Sequence, residues 1–379
     1  MIARYTALLC VTFLALAGCA AKNPPAAGDR AAALSGAILV ISAWGQSGDP
    51  QNLPDTTPLY SQLKILKASV TGGENDDIGI ATIYYIGEIE ADLTSDVEVR
   101  GGKIDRALAQ EALTNLDIVL AHNRDIPEWR VSIAGANYLA GDTVYAMDGA
   151  SDLAMGYWNA CARLGHAGCV NNIANELLDK PTPSDDDIRS ALGLHAGVVK
   201  TGIERHCAGE YSAVTMATLM HFTGIRPPGD DEIKLLDTAR NLYHQIQEAT
   251  HVKDPCNGGR IGIDQYMMYV DRGEHHEILL DDVMRTTTSP FWQGIAAYLA
   301  GKVSDAEMTA LADKYPNRSC GLRYYLAWRL EQNGDGNAAR AQYEAMLARP
   351  VSECHQETLM MRYYLKMPAD GPGATEKRR

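Results

Sequence analysis

The chain has 379 residues, of which 46% are hydrophobic, and it carries 48 acidic against 34 basic side chains, for a formal net charge of −14. That length is ample for one large core or for two domains. Because a chain this acidic repels phosphate groups, its composition argues against nucleic acid and anionic lipid surfaces as partners and is compatible with a basic protein or peptide.

The N-terminus has the pattern of a secretory signal peptide. One basic residue, Arg4, precedes an apolar run over residues 5–17, and small residues follow that run. The run is too short to span a bilayer as a mature helix. We therefore predict a cleaved signal peptide over residues 1–18. The alternative is an uncleaved anchor helix.

The segment Leu16-Ala17-Gly18-Cys19 resembles the bacterial lipobox, although an ordinary signal peptide with a chance cysteine is the alternative. The resemblance implies cleavage before Cys19 and acylation of that residue, whose acyl chains would hold the protein to a membrane. Ala20, rather than Asp, follows the cysteine, which in sorted lipoproteins favours the outer membrane, here facing the periplasm. Residues 19–33 are rich in Ala and Pro and are predicted to form a flexible tether.

Residues 34–125 predict an N-terminal helical region with four helices. Pro58 takes the favoured first position of the second helix. The third is rich in β-branched residues, so a strand over 80–86 is its alternative. A loop or short extended piece is expected over 96–103. The helices are expected over residues 34–44, 59–70, 80–93 and 105–122.

Residues 128–169 have the clearest helical pattern, since small and large apolar residues alternate there at helical spacing. A polar break is predicted over residues 141–148, Gly165 is expected to end the second helix, and a third helix begins near Ala167. The pattern resembles a Sel1-like repeat, in which small residues allow close helix packing and glycines take turn conformations. The matching positions are Gly135, Tyr138, Gly141, Val144, Asp148, Ala154, Trp158, Ala160, Leu164, Gly165, His166 and Ala167.

The rest of the chain predicts further helix hairpins, and residues 320–350 resemble a tetratricopeptide repeat through Ala327, Leu330, Gly334, Asp335, Ala339, Tyr343, Leu347 and Pro350. Periods of about 34–40 residues indicate stacked hairpins. The expected fold is all-α, a right-handed superhelix (solenoid) of antiparallel helix hairpins. We assign a Sel1-like region to residues 126–225, tetratricopeptide-like hairpins to 226–368 and a disordered tail to 369–379.

Six cysteines follow Cys19, and an even number in an exported protein suggests disulfides. Cys161 and Cys169 are equidistant from Gly165, so an antiparallel hairpin would bring them within about 7 Å. The most local pairing of the others joins Cys207 to Cys256 and Cys320 to Cys354. Helices of successive repeats lie about 8–10 Å apart, which is marginal for a bond. Free, buried thiols are the alternative.

The sequence contains no convincing catalytic or metal-binding pattern. The adjacent His275 and His276 point about 100° apart on a helix and belong to no H-E-x-x-H motif. The Gly-rich segment over 258–262 lacks the Lys-Ser/Thr of a phosphate loop. The acidic run over 185–187 is expected to cap a helix. We therefore predict no catalytic residue, no metal and no cofactor.

Aromatic residues recur in two successive first helices, and in tetratricopeptide-like arrays such helices line a concave groove. These side chains are therefore candidate anchors for a bound peptide. Because adjacent residues on a helix point in different directions, the alternative is that half of each pair lies in the core. The candidates are Tyr324, Tyr325, Trp328, Tyr363 and Tyr364.

The expected function is that of a membrane-anchored periplasmic scaffold, which binds a protein or peptide through a concave acidic surface and catalyses no reaction. One alternative is an immunity protein that neutralises a secreted antibacterial effector. The other is an envelope hydrolase with an unrecognised site. Both the expected role and the first alternative rest on resemblance rather than on a chemical site.

Overall fold

A computed structural model describes residues 30–46, 55–70, 75–99, 103–180, 183–201, 207–225, 231–250, 258–314 and 319–347. These residues form sixteen α-helices, a 3₁₀-helix over Pro127–Trp129 and no β-strand. The helices are α1 Arg30–Gln46, α2 Thr57–Ser69, α3 Asp77–Val99, α4 Arg106–His122, α5 Ile133–Asp148, α6 Asp152–Arg163, α7 Ala167–Leu178, α8 Asp185–Thr201, α9 Ala208–Thr223, α10 Glu232–Thr250, α11 Gly258–Asp271, α12 Ile278–Thr286, α13 Pro290–Leu299, α14 Asp305–Lys314, α15 Ser319–Gln332 and α16 Gly336–Leu347.

The all-α prediction is confirmed, and three local predictions are corrected. The strand alternative over 80–86 is wrong, because those residues lie inside α3. The extended piece expected from residue 96 is wrong as far as Val99, where α3 ends. The break expected over 141–148 is also wrong, because α5 continues through it to Asp148.

Helix α5 continues through the expected break, and the buried polar residue there bonds within the helix. The Thr143 hydroxyl donates to the Leu139 carbonyl at 2.7 Å, and Gly141 is buried in the helix. The helix ends instead at Gly149, which has a φ of +70° that residues with a Cβ rarely adopt. The polar residues in this stretch therefore belong to a continuous helix rather than to a turn.

The chain divides into two compact units. Unit 1 comprises residues 1–45, 55–98 and 103–154, and unit 2 comprises residues 46–54, 99–102 and 155–379. The boundary at 154–155 lies inside the region 126–225 that the repeat resemblance assigned to a single block.

Unit 1 is built around α3. A Cβ on Gly87 would lie 3.0 Å from Leu116 Cγ, which shows how closely α3 approaches α4. A Cβ on Gly135 would lie 2.8 Å from Tyr84 Oη, which shows a similar approach between α3 and α5. Residues 79–87 and 89–91 of α3 are all buried. Helix α3 is thus enclosed by its neighbours over most of its length.

Unit 2 consists of helices that pack in consecutive pairs. Helix α7 packs on α8, α9 on α10, α11 on α12 and α15 on α16. The first helices of these pairs also contact one another in series, from α7 through α9, α11 and α13 to α15. This arrangement is compatible with helical repeats, in which each hairpin buries its apolar face against the next.

The turn between α6 and α7 is cross-linked. Gly165 has a φ of +84° there, and a disulfide joins Cys161 to Cys169 with a Cα–Cα separation of 6.1 Å. Both cysteines are fully buried. Closing so short a loop lowers the conformational entropy of the unfolded chain, which stabilises the folded state by about 2–3 kcal/mol. The bond also fixes the angle of the hairpin.

No helix in the described ranges is both long enough and apolar enough to span a bilayer.

Two glycine-to-alanine substitutions in unit 2, one at a close helix contact and one away from any contact, test how closely the first helices pack. A Cβ on Gly259 would lie 2.5 Å from Trp292 Cβ, and since both atoms are fixed to their backbones, α11 and α13 would have to separate. We expect Gly259→Ala to lower the free energy of unfolding by about 1–3 kcal/mol, measured by chemical denaturation. Gly156→Ala, within α6 and with no atom near the new Cβ, should instead raise it by up to about 1 kcal/mol. Equal stability of the two variants would contradict the close approach of α11 to α13.

Candidate functional site

The aromatic residues proposed as groove anchors lie in the core of unit 2. Tyr324 and Tyr325 are each 4% exposed, and Trp328 is 5% exposed. Tyr363 and Tyr364 lie outside the described residues. The expectation of solvent-facing anchors on α15 is therefore corrected.

Helix α15 buries these rings because other first helices surround it. Tyr324 packs edge-on against Phe222 of α9, and Tyr325 packs edge-on against Trp292 of α13. The polar tips are also used: Tyr325 Oη donates to Asp264 at 3.2 Å, and Trp328 Nε1 donates to Asp271 at 3.3 Å. These contacts make the cluster part of the packing between helices.

The cysteines form links rather than a metal centre. Ligand atoms of Cys161, His166 and Cys169 lie within 4.8 Å of one another, but both sulfurs are joined in the disulfide. Cys207 and Cys320 are also disulfide-bonded. Their predicted partners, Cys256 and Cys354, lie outside the described residues, as does Cys19, so those pairings and the lipidation site stay predictions.

A buried Ser–His–Asn group in unit 2 has the residue types of a catalytic site but not its geometry. His195 Nδ1 lies 3.2 Å from Asn171 Oδ1, and the Ser212 hydroxyl donates to that same oxygen at 2.6 Å. Ser212 Oγ also lies 3.3 Å from His195 Nδ1, so both contacts of the imidazole use the same nitrogen, whereas a catalytic histidine bridges its two partners through its two different ring nitrogens. His195 and Ser212 are both fully buried, and burial lowers the pKa of His195 to about 4. The group therefore joins α7, α8 and α9 as a neutral hydrogen-bond network.

Most polar side chains of α3 form hydrogen bonds or ion pairs with other residues of unit 1, so those that do not are easily identified. Thr82 and Thr94 donate to backbone carbonyls one turn earlier, and Tyr85 Oη donates to the Trp129 carbonyl at 2.9 Å. Glu90 is fully buried, yet Lys67 of α2 forms an ion pair with it at 2.6 Å and Asn115 of α4 donates to it at 2.9 Å.

Glu88 and Asp92 are the exceptions on α3. They lie one turn apart, so they share a face of the helix, while Glu90 points elsewhere. Among the described residues no donor reaches Glu88 Oε2, although solvent does not reach that atom either. The neighbouring charges that raise the pKa of these carboxyls are acidic. Asp92 raises the pKa of Glu88, and Asp142 of α5 raises the pKa of Asp92.

Helix α5 completes the cluster. Tyr138 and Asp142 lie one turn apart on α5 and share a side-chain hydrogen bond, and Asp92 also acts on Tyr138. Tyr84 lies against Gly135 near the start of α5, and Asp92, two turns later on α3, interacts electrostatically with Tyr138 and Asp142, which come later on α5. Because positions rise together along both helices, α3 and α5 run in the same direction. We call Glu88, Asp92 and Asp142, with Tyr138, the carboxylate cluster.

Burial and like charge shift the protonation of the cluster. Burial raises the pKa of Glu88 to about 8, and Asp92 adds to the rise. Burial raises the pKa of Asp92 to about 7, and Asp142 adds to that rise. Burial raises the pKa of Tyr138, and the charge of Asp142 adds to that rise. The cluster can therefore hold protons near neutral pH, and a cation placed there would displace them.

Each of the four residues of the carboxylate cluster is partly exposed to solvent. The cluster is therefore surrounded by protein but not closed off. Sequence reasoning missed it because two acids at i and i+4 are typical of a solvated helix face. The signal that was present is the E-x-x-x-D spacing within a mainly apolar segment.

No protein-family model matches this sequence, and no curated protein sequence matches it either. The chemistry of the site therefore rests on the geometry alone.

The cluster predicts how stability depends on pH. Both acids have a raised pKa when folded, from 4.5 for Glu88 and 3.8 for Asp92, so the folded state retains protons that the unfolded chain has released. Stability contributed by those protons is present at low pH and is lost as the pH rises toward about 8. We expect thermal unfolding midpoints to fall over that interval.

Removing the charge should remove this loss. We expect Glu88→Gln and Asp92→Asn each to raise the free energy of unfolding at about pH 8 by about 1–3 kcal/mol, with little gain at about pH 4. Glu128→Gln, at an exposed position of unit 1, is the matched control and should change neither value. A gain that is independent of pH, or one shared by Glu128→Gln, would show that the two carboxyls are solvated.

Proposed function

We propose that this protein is an exported, lipid-anchored scaffold that binds a protein or peptide partner through an acidic surface of helical repeats and catalyses no reaction. The observation that carries the proposal is the carboxylate cluster of unit 1. Within it, Asp92 adds to the raised pKa of Glu88 and Asp142 adds to that of Asp92, and one oxygen of Glu88 is buried without a described donor. Carboxyls whose pKa is strongly shifted by burial and by neighbouring charges are concentrated at functional sites.

The repeat identity is part of the proposal. Its supports are the consecutive helix pairs and the series of contacts between first helices in unit 2. The sharp turn at Gly165 lies where a Sel1-like repeat has its hairpin turn. On this basis we propose a right-handed superhelix of Sel1-like and tetratricopeptide-like hairpins. Such arrays present extended binding surfaces with little need for a deep catalytic pocket.

The proposed address is the outer membrane, with the protein held by acylated Cys19 and facing the periplasm. The lipobox resemblance is its main support. The disulfide at Cys161 and Cys169 agrees with it, since disulfides persist in the oxidising periplasm.

The anchor is tested by one cysteine substitution with a second as its control. We expect Cys19→Ala to abolish incorporation of labelled palmitate and to move the protein from the membrane pellet to the periplasmic extract. Cys10→Ala, inside the apolar run of the signal, should leave both readouts unchanged because Cys10 is removed with the signal. Membrane attachment of the Cys19→Ala protein would contradict acylation at this residue.

Partner binding is tested with the full-length lipoprotein in detergent. We expect chemical cross-linking in envelope extract, followed by mass spectrometry, to identify a partner whose complex reforms from the two purified proteins. Because the attraction is electrostatic, the affinity should fall as salt is raised. A toxin as the identified partner would assign the scaffold to immunity. The proposal fails if no partner binds the purified protein and the protein instead hydrolyses an envelope substrate.

A further inference from the structure

Helix α1 carries no charged residue after its first position, Arg30. Its buried side includes Leu34 and Ala37, and Gln62 of α2 donates to the Ala33 carbonyl on that side at 2.8 Å. The opposite side is open to solvent, and its residues recur three or four positions apart along the helix. This outer face of α1 consists of Ala32, Ser35, Leu39 and Ala43.

The outer face of α1 differs from the face that an ordinary surface helix presents to water. Helix α4 has the same length, 17 residues, and its exposed residues include Glu111 and Asp117. On α1, by contrast, Leu39 is 58% exposed, and the hydroxyl of Ser35 donates to the Ala31 carbonyl at 2.9 Å. A helix that is apolar on every side is typical of one that is covered on every side. The outer face therefore suits an apolar medium.

The charge of this region also differs from that of the whole chain. Helices α1 and α2 contain no acidic residue, although the chain has a formal net charge of −14. Arg30 and Lys67 form ion pairs with acids of unit 1, and Lys64 is exposed on α2. These two helices therefore contribute no repulsion toward the phosphate groups of a lipid surface, in contrast to the chain as a whole.

The position of α1 in the chain keeps this face near the membrane. Residues 19–29 separate the proposed lipid anchor from Arg30, where α1 begins. A flexible tether of that length has an end-to-end distance of about 20 Å, and of about 40 Å when it is fully extended. Because the anchor enters the bilayer at Cys19, the start of α1 stays within that distance of the membrane surface.

We propose that the outer face of α1 lies in the headgroup region of this bilayer, so that unit 1 contacts the membrane directly as well as through the lipid anchor. This inference rests on the proposed function, since the anchor holds the helix near the bilayer. A helix in the interface buries apolar side chains among the headgroups without spanning the membrane. The contact is weak by itself because few side chains take part, and the tether makes it effective by keeping the helix at high local concentration.

Fluorescence quenching by brominated lipid tests this contact. The full-length lipoprotein is reconstituted into vesicles of phosphatidylethanolamine and phosphatidylglycerol, with or without bromine on the acyl chains. Leu39→Trp places an indole on the outer face, and we expect brominated vesicles to reduce its added fluorescence at least about twofold, because the side chain lies near the acyl chains. The added fluorescence is the difference from the unaltered protein, which has five tryptophans of its own.

Ile118→Trp, at an exposed apolar position of α4, is the matched control and should show no such loss of fluorescence. Ala43→Trp, one turn further along the outer face of α1, should behave as Leu39→Trp does. All three positions are exposed, so the three variants are expected to fold. Absence of quenching in both α1 variants, or equal quenching in Ile118→Trp, would overturn the proposal.

The other occupant to test is a second copy of the chain. Sedimentation of the unaltered protein and of Leu39→Glu in detergent compares their oligomeric states. We expect the same state for both, because the outer face of α1 contacts lipid and not protein. An oligomer that Leu39→Glu dissociates would make this face an interface between copies and overturn the proposal.

The same samples separate this inference from the proposed function. Mass spectrometry of the purified protein detects acylation of Cys19, and binding of the identified partner is measured alongside the quenching. An acylated protein that binds its partner while both α1 variants go unquenched refutes the membrane contact and leaves the anchored scaffold standing. A protein without acyl chains refutes the anchor, and the contact of α1 falls with it. Quenching in a protein that binds no partner supports the contact and refutes the scaffold role.

Discussion

The structure of unit 1 depends on the enclosure of α3. A helix surrounded on nearly every side cannot rely on water for its polar groups, so each one must find a partner inside the protein or remain unsatisfied at a cost. This requirement explains why Lys67 reaches in from α2 and Asn115 from α4 toward Glu90. It also explains why the Trp129 carbonyl, just before α5, receives the Tyr85 hydroxyl.

Enclosure also explains what the sequence revealed about α3 and what it concealed. A helix in contact with protein all around has apolar residues on every face, so it loses the periodicity that identifies an amphipathic helix. Its β-branched residues then admit a strand, and the prediction placed only residues 80–93 in a helix. The structure extends α3 to Val99 at one end and Asp77 at the other. Its helical type could be inferred from the sequence, but its length and its ends depend on packing.

The functional residues were harder to infer because their properties come from other segments. The local spacing of Glu88 and Asp92 is only a weak signal; what distinguishes Glu88 from a solvated acid is burial by the surrounding protein, with the charge of Asp92 added. The aromatic residues of α15 show the converse. Their recurrence in two first helices is consistent with a binding groove, yet α9 and α13 cover Tyr324 and Tyr325. Exposure is a property of neighbouring helices, and a repeat pattern alone does not determine it.

The contrast between Glu90 and Glu88 carries the functional argument furthest. The two residues lie on the same enclosed helix, two positions apart. At Glu90 the protein provides both a cation and an amide donor, and although burial raises its pKa, Lys67 and Asn115 oppose the rise. At Glu88 the charge that the fold places one turn later is another acid, Asp92, which adds to the rise in pKa that burial causes. The fold is therefore able to neutralise a buried acid on α3 and does so on one face. On the other face the neighbouring charges act in the opposite sense, since Asp92 adds to the raised pKa of Glu88 and Asp142 adds to that of Asp92.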